Sequence, residues 1–252
     1  MKNIPIALQL YSVRNQCAED FFGTIEKVAK MGYKGVEFAG YHGKDAASIK
    51  KVLDDNGLKA YGTHTMFDAI SDENIAATVE LHKTLDCKFV IVPWIPEEKR
   101  SSVEACKATG EMLTDAVDKL AAYDLRLGFH AHSGDMRPLE NGKSAWYLLA
   151  AGTPDSFIMQ YDTANGLDGG ADPVQPILDW PGRGASTHLK GWKLGVGPAL
   201  VGEGDINWPA VLDACESVGG TEVYVIEHED ESVMPALEAV DQCLKNLHAL
   251  GR

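Results

Sequence analysis

The feature that most constrains this chain is an alternation. Short apolar or β-branched runs at 4–10, 34–38, 58–64, 88–93, 125–132, 157–162, 185–190 and 222–228 are each followed by a longer stretch of helical or loop character. The clearest helical stretch covers 20–31, where Phe21, Ile25, Val28 and Ala29 share one face and Gly32 is a C-terminal stop. Others are expected over 45–56, over 72–85 with Asp72 as cap, from Ser101 or Ser102 to about 123, after Asp172-Pro173, after Asn207-Trp208-Pro209, and over 234–250. Run 88–93, KFVIVP, is almost purely apolar, as a strand buried on both faces must be. Strict alternation implies a parallel sheet covered by helices, and eight strands is the number that closes a (β/α)8 TIM barrel. A doubly wound open sheet competes, but no GxGxxG opens the first helix; Tyr-Ser-Val-Arg follows the first run instead. No linker or low-complexity tract divides the chain, so residues 1–252 are expected to form one α/β domain.

Composition excludes some functions. Lysine plus arginine number 23 against 37 aspartates plus glutamates, a formal charge of −14 that repels nucleic-acid phosphates and anionic membranes. No basic patch offsets it. The five cysteines are scattered without CxxC spacing, which fits reduced thiols rather than a disulfide or zinc framework. The opening MKNIPIALQLYSVR has too short an apolar run for a secretory signal, and no stretch reaches the roughly 18 apolar residues of a membrane span. A cytoplasmic protein is expected, with no nucleic-acid or membrane partner; a homo-oligomer is compatible with the sequence.

In such a barrel the functional groups sit at the C-terminal ends of the strands. Here those ends carry Gln9, Glu37, His64, Trp94, His130 with His132, Asp162, His188 with Lys190, and Glu227 with His228. A single strand-end aspartate is more often a turn former or cap, and a single histidine more often a satisfied core residue. Four nitrogen or oxygen donors on four consecutive strands, His130, Asp162, His188 and Glu227, are harder to explain by packing. Two imidazoles with two carboxylates suit Mn, Co, Zn or Fe better than calcium, and four ligands leave coordination positions open for a substrate.

The segments QLYSVR, GYKGVEF, GFHAH, YDTAN (161–165), THLKG (187–191), VGEGDINW (201–208) and VIEHE (225–229) resemble the xylose isomerase-like sugar phosphate isomerase/epimerase superfamily over the whole chain. The resemblance implies a divalent metal held by His130, Asp162, His188 and Glu227, with Gln9, Glu37, His64, His132 and Lys190 facing a carbohydrate. Many ketose epimerases of this superfamily carry a glutamate where this chain has His130, and use two metal-bound glutamates as opposed bases. Asp135 or Glu140, just downstream, are the carboxylates that would restore a second base. A histidine pair at this place resembles branches that act on inositol derivatives or 3-keto sugars by elimination or hydration.

The expected activity is therefore a metal-dependent sugar isomerase or epimerase working through an enediolate. The alternative is a lyase or hydratase on a 3-keto-glycoside or inosose in the same site. Glu227 is the first candidate base and Glu37 the second; Lys190 or His64 would stabilise or protonate an oxygen. Trp94 is placed to stack on a sugar face. The glycine-rich loop 191–204 has no helix start directly after its glycines, so it reads as a substrate-covering loop with Glu203 as a polar contact, not as a phosphate cradle. Arg183 and Lys190 are the nearby cations for an anionic substrate group. A repair endonuclease of a related barrel type is opposed by the net charge, and a non-catalytic sugar-binding barrel would hold no metal.

Overall fold

The computed structural model describes residues 3–232 and 234–252. Met1 and Lys2, which open the N-terminal stretch, lie outside the described residues, as does Val233. Eight parallel strands form the barrel, labelled β1 (Ile6–Gln9), β2 (Gly35–Phe38), β3 (Lys59–His64), β4 (Phe89–Val92), β5 (Arg126–His130), β6 (Ile158–Gln160), β7 (Ser186–Leu189) and β8 (Val223–Ile226). Each pairs with its sequence neighbour, and β1 also pairs with β8. Between β6 and β7 the join is an Asp162–His188 bridge with the His188 amide donating to Tyr161 O at 2.8 Å. The expected (β/α)8 barrel is the observed fold.

Two apolar layers hold it together. Ala7, Phe89, Ile91, Ile158, Ala185, Val223 and Val225 fill the barrel interior, while the larger core lies between the strands and the surrounding helices. The alternation in the sequence reflects this double burial. Helix Phe21–Met31 buries Phe21, Ile25 and Val28, is capped by the Asp20 carboxylate on the Gly23 amide, and ends at Gly32 with φ 109°. Ser102 caps Val103–Ala121 through Oγ to the Ala105 amide at 3.1 Å. Asn207 caps Trp208–Ala214, with Pro209 in its first turn.

Several boundaries differ from expectation. Asp72 caps nothing: the helix after β3 is Ile75–Leu85, and the Asp72 carboxylate pairs with Lys119. Asp172 caps one step late, accepting from the Val174 and Gln175 amides ahead of Gln175–Asp179. The stretch after β5 contains a helical turn, Ser133–Met136, and Asp162 opens another, Thr163–Asp168. Within 191–204 an antiparallel hairpin pairs Gly191–Lys193 with Gly197–Ala199. Gly191 permits that pairing, since a Cβ there would lie 2.4 Å from Ala199 O.

Among the described residues, no helix is long and apolar enough to cross a membrane, and all five cysteines are buried and unpaired.

Candidate metal centre and substrate cavity

Residues two apart on a strand face the same way, and the site is assembled from such pairs at the barrel's C-terminal mouth. His130 and His132 leave β5, Gln160 and Asp162 leave β6, His188 and Lys190 leave β7, and Glu227 and Glu229 leave β8. Ligand-type atoms of His130, Asp162, His188 and Glu227, all four buried, lie within 4.8 Å of one another. His64 joins His130 and His188 in a second such group.

Each histidine is oriented by a defined partner. His188 Nε2 is 2.6 Å from Glu37 Oε2, and its Nδ1 is 2.7 Å from Glu227 Oε2. Burial alone would depress this imidazole, but Glu37 and Glu227 on either side outweigh it and hold it at about 10. His130 Nδ1 donates to Gln160 Oε1 at 3.0 Å, which leaves its Nε2 lone pair free for a ligand. Burial, with His188 and His64 nearby, keeps His130 neutral far below the usual histidine range. The Gln160 amide is orientated in turn, its Nε2 donating to Glu37 Oε1 and to Ser186 Oγ, each at 2.7 Å.

Asp162 has two tasks. Its Oδ1 accepts from the Asn165 amide at 2.7 Å, capping the short helix. Its Oδ2 is fully buried with no hydrogen-bond partner and lies 3.9 Å from His188 Nδ1. Burial raises this carboxyl to about 6, against the pull of Lys190. A buried carboxylate oxygen without a donor is costly unless a cation meets it. That orphaned oxygen, set among two imidazoles and a second carboxylate, fits a divalent transition ion.

Other expected residues take different positions. Glu37 is fully buried beneath the cluster, bonded to Gln9 Nε2 at 2.8 Å, Gln160 and His188, with His64 Nε2 at 3.1 Å. It holds His188 and His64 by hydrogen bonds and does not line the cavity, a placement that suits a residue orienting histidines more than the second-choice base. Gln9 likewise lies under the floor, its Oε1 accepting from the Tyr11 amide. Room for Glu37 comes from a register shift between β2 and β3, where Gly62 stands opposite it; a Cβ at Gly62 would sit 2.5 Å from Glu37 Oε1.

Arg183 is corrected outright. It precedes β7, at the opposite end of the barrel, and is spent on Phe157 O, Ala150 O and Thr153 Oγ1. Glu203 is exposed and, like the rest of 191–204, lines no part of the cavity. Asp135 accepts from the His132 amide and meets Arg100 at 2.7 Å, and Glu140 accepts from the Val103 amide. Neither supplies a second carboxylate to the cluster. Lys190 is buried between Glu227, at 3.6 Å, and Glu229, at 2.7 Å. Burial would depress its ammonium, but Glu227, Asp162 and Glu229 raise it well above the lysine range.

Above the cluster opens a cavity of about 640 Å³ whose lining includes His64, His130, His132, Trp94, Glu227 and Glu229. His132 is exposed at the cavity wall, and desolvation by the surrounding protein, with Lys190, His64 and Arg100 nearby, depresses its imidazole and keeps it neutral. Glu229 and Gln160 were absent from the sequence expectation. Both were signalled by period two, Glu229 two residues after Glu227 and Gln160 two before Asp162.

Fold and site together define a (β/α)8 barrel with a histidine-carboxylate cluster at the C-terminal mouth of its strands. The family model of the xylose isomerase-like TIM barrel matches residues 25–249, and the chain belongs to that family. It is 22% identical over 243 residues to the rhizopine catabolism protein MocC of Rhizobium meliloti, covering 82% of this chain and 74% of that one. It is 24% identical over 187 residues to an inosose dehydratase of Geobacillus kaustophilus, covering 66% of this chain and 60% of that one. A solved sugar phosphate isomerase/epimerase from Parabacteroides distasonis superposes with a TM-score of 0.83 at 22% identity, covering 98% of each chain.

Proposed function

We propose that the chain is a divalent-metal-dependent lyase that removes water or an alcohol from a keto-sugar or inosose. The supporting observation is the one-sided placement of carboxylates: Glu227 and Glu229 line the cavity from the end of β8, while β5 presents His130. Held by His130, Asp162, His188 and Glu227, a divalent ion would supply Lewis-acid polarisation of the substrate carbonyl.

The chain's own residues do the proton work. Glu227 has one oxygen toward His188 and the other toward Lys190, so one can ligate while the other takes a proton from the carbon beside the carbonyl. As the C–H proton passes to Glu227, a C=C bond forms and the bond to the leaving oxygen breaks. Lys190, an ammonium beside that base, protonates the departing oxygen. A base confined to one face returns a proton only to that face. This suffices for elimination; inversion at carbon needs a second group opposite. Of the isomerase or epimerase activity expected from the sequence, isomerisation through an enediolate also proceeds on one face and is the second reading. The adjacent Glu227 and Lys190 favour elimination over it.

The test is incubation of the Mn-, Co- or Zn-loaded protein with inososes and 3-keto-glycosides in D₂O, followed by NMR. Unsaturated product with released water or alcohol is expected. Deuterium uptake with an isomerised sugar would favour the second reading, and neither exchange nor product across the panel would sink both.

A further inference from the structure

The cavity has two unlike ends. The cluster end is polar, but the wall built by the segments after β1 to β4, including the helix Ile75–Leu85, presents Tyr11, Tyr41, Met66, Ala69, Leu81 and Trp94. Three of these are conspicuously open to solvent: Tyr11 is 44%, Met66 56% and Trp94 46% exposed. Scattered exposed apolar side chains need no explanation, whereas several gathered on the wall of one cavity mark a binding surface.

Both threonine hydroxyls of that wall are already engaged. Thr78 Oγ1 donates to Ala69 O at 2.8 Å, and Thr65 Oγ1 is 2.7 Å from Thr63 Oγ1. Among the described residues that wall carries neither lysine nor arginine, Lys190 lying at the cluster end beside Glu227 and Glu229, so a phosphate seated against the wall has no cationic partner. Size points the same way. At liquid water's share of roughly 30 Å³ per heavy atom, the twelve heavy atoms of a hexose claim at most about 360 Å³, well short of the 640 Å³ available.

We infer that this wall is a subsite for an aromatic aglycone, so that the substrate is an aryl-substituted sugar derivative and not a free or phosphorylated monosaccharide. The assignment rests on the sugar end lying at the histidine-carboxylate cluster, as proposed above. Continuity of the cavity makes the geometry simple: a ring held over the cluster by His64, His132 and Glu227 extends its substituent toward Trp94 and Met66. Trp94 and Tyr11 supply flat faces for stacking, and Met66 an adaptable contact at a ring edge.

The experiment is calorimetric titration of the Mn-loaded 252-residue chain with phenyl β-glucopyranoside and methyl β-glucopyranoside. Neither probe carries a ketone, so binding is read apart from turnover. The phenyl glycoside is expected to bind at least about tenfold tighter. Trp94→Ala and Met66→Ala should each shrink that ratio while metal content stays unchanged. Equal affinities, no measurable binding of the phenyl glycoside, or a preference untouched in both variants would overturn the subsite. Its failure is separable from failure of the lyase reading. Equal turnover of methyl and phenyl 3-keto-glycosides would leave the lyase and remove the subsite, and aryl-selective binding without elimination would do the reverse.

Discussion

His82 and His188 are both wholly buried, yet their surroundings push them in opposite directions. His82 sits on the outer layer, between the helix after β3 and the barrel, with Nδ1 2.9 Å from Cys87 O and Nε2 2.8 Å from Thr63 Oγ1. Burial depresses it to about 4, and it is satisfied as a neutral ring. His188 lies between two carboxylates, with a third, Asp162, leaving an oxygen unpartnered beside it. The first environment is complete with protein atoms alone. The second calls for positive charge, and that difference separates a structural histidine from a ligand where burial does not.

The sharpest way to break this comparison is to truncate each ring. His188→Ala should abolish stoichiometric metal in elemental analysis and lower kcat/KM by about 10³-fold or more. In the metal-free protein it leaves Glu37 and Glu227 without their shared cation, a loss of about 3–5 kcal/mol in urea unfolding. His82→Ala should also destabilise, by about 2–4 kcal/mol through a cavity and an unpaired Cys87 oxygen, while metal content stays at the wild-type value. Loss of metal in the His82 variant, or its retention in the His188 variant, would dissolve the distinction.

Protonation offers a second probe. The folded-state value of His82, about 4, lies below its ordinary value of 6.5, so the unfolded chain binds the extra proton first. Its contribution is fully present above pH 6.5 and disappears as pH falls toward 4, a change of about 3 kcal/mol. His82→Gln keeps a donor for Cys87 O and an acceptor for Thr63. Compared by urea unfolding at about pH 7.5 and about pH 4.5, wild type should lose more stability than this variant. Parallel losses would mean that His82 is not the titrating group.

Gln160 tests how far the ligand environment extends below the ligands. Gln160→Leu removes the acceptor that fixes the His130 tautomer and two donors that hold Glu37 and Ser186. Metal affinity should fall about 10–100-fold, the usual scale for a residue that orients ligands, with the remaining metal still bound one per chain. A competitive chelator titration measures it, and unchanged affinity would show that His130 needs no such support.

The barrel was legible because double burial writes itself into every strand as an apolar run, and the four residues of the histidine-carboxylate cluster were legible because polar residues stand out at the ends of such runs. Depth was not legible. Glu37 and Glu227 both end strands, but the β2–β3 register shift opposite Gly62 gives Glu37 a place beneath the floor, and only three-dimensional pairing reveals that. Asp162 escaped the usual choice between cap and ligand because its two oxygens have separate surroundings. The apolar wall was invisible for another reason: Tyr11, Tyr41, Met66 and Leu81 come from four separate segments whose convergence no local pattern encodes. Arg183 was readable and misread. A residue just before a strand belongs to the N-terminal end of the barrel, away from the chemistry.

The smallest expected effect concerns the glycine-rich loop, where sequence placed a substrate contact at Glu203. Its side chain is exposed, while its backbone carbonyl accepts from Trp208 Nε1 at 3.0 Å and its amide donates to Leu200 O. Truncation of the side chain leaves both backbone bonds in place. Glu203→Ala should therefore keep kcat/KM for the proposed keto-sugar substrate within about twofold, the range of a surface substitution of roughly 0.5 kcal/mol. The variant is informative because the loop joins the hairpin to the capped helix Trp208–Ala214 at a point that lines no part of the cavity. A rise in KM with unchanged kcat would show that this carboxylate contacts substrate after all, and the polar end of the cavity would then include a third carboxylate.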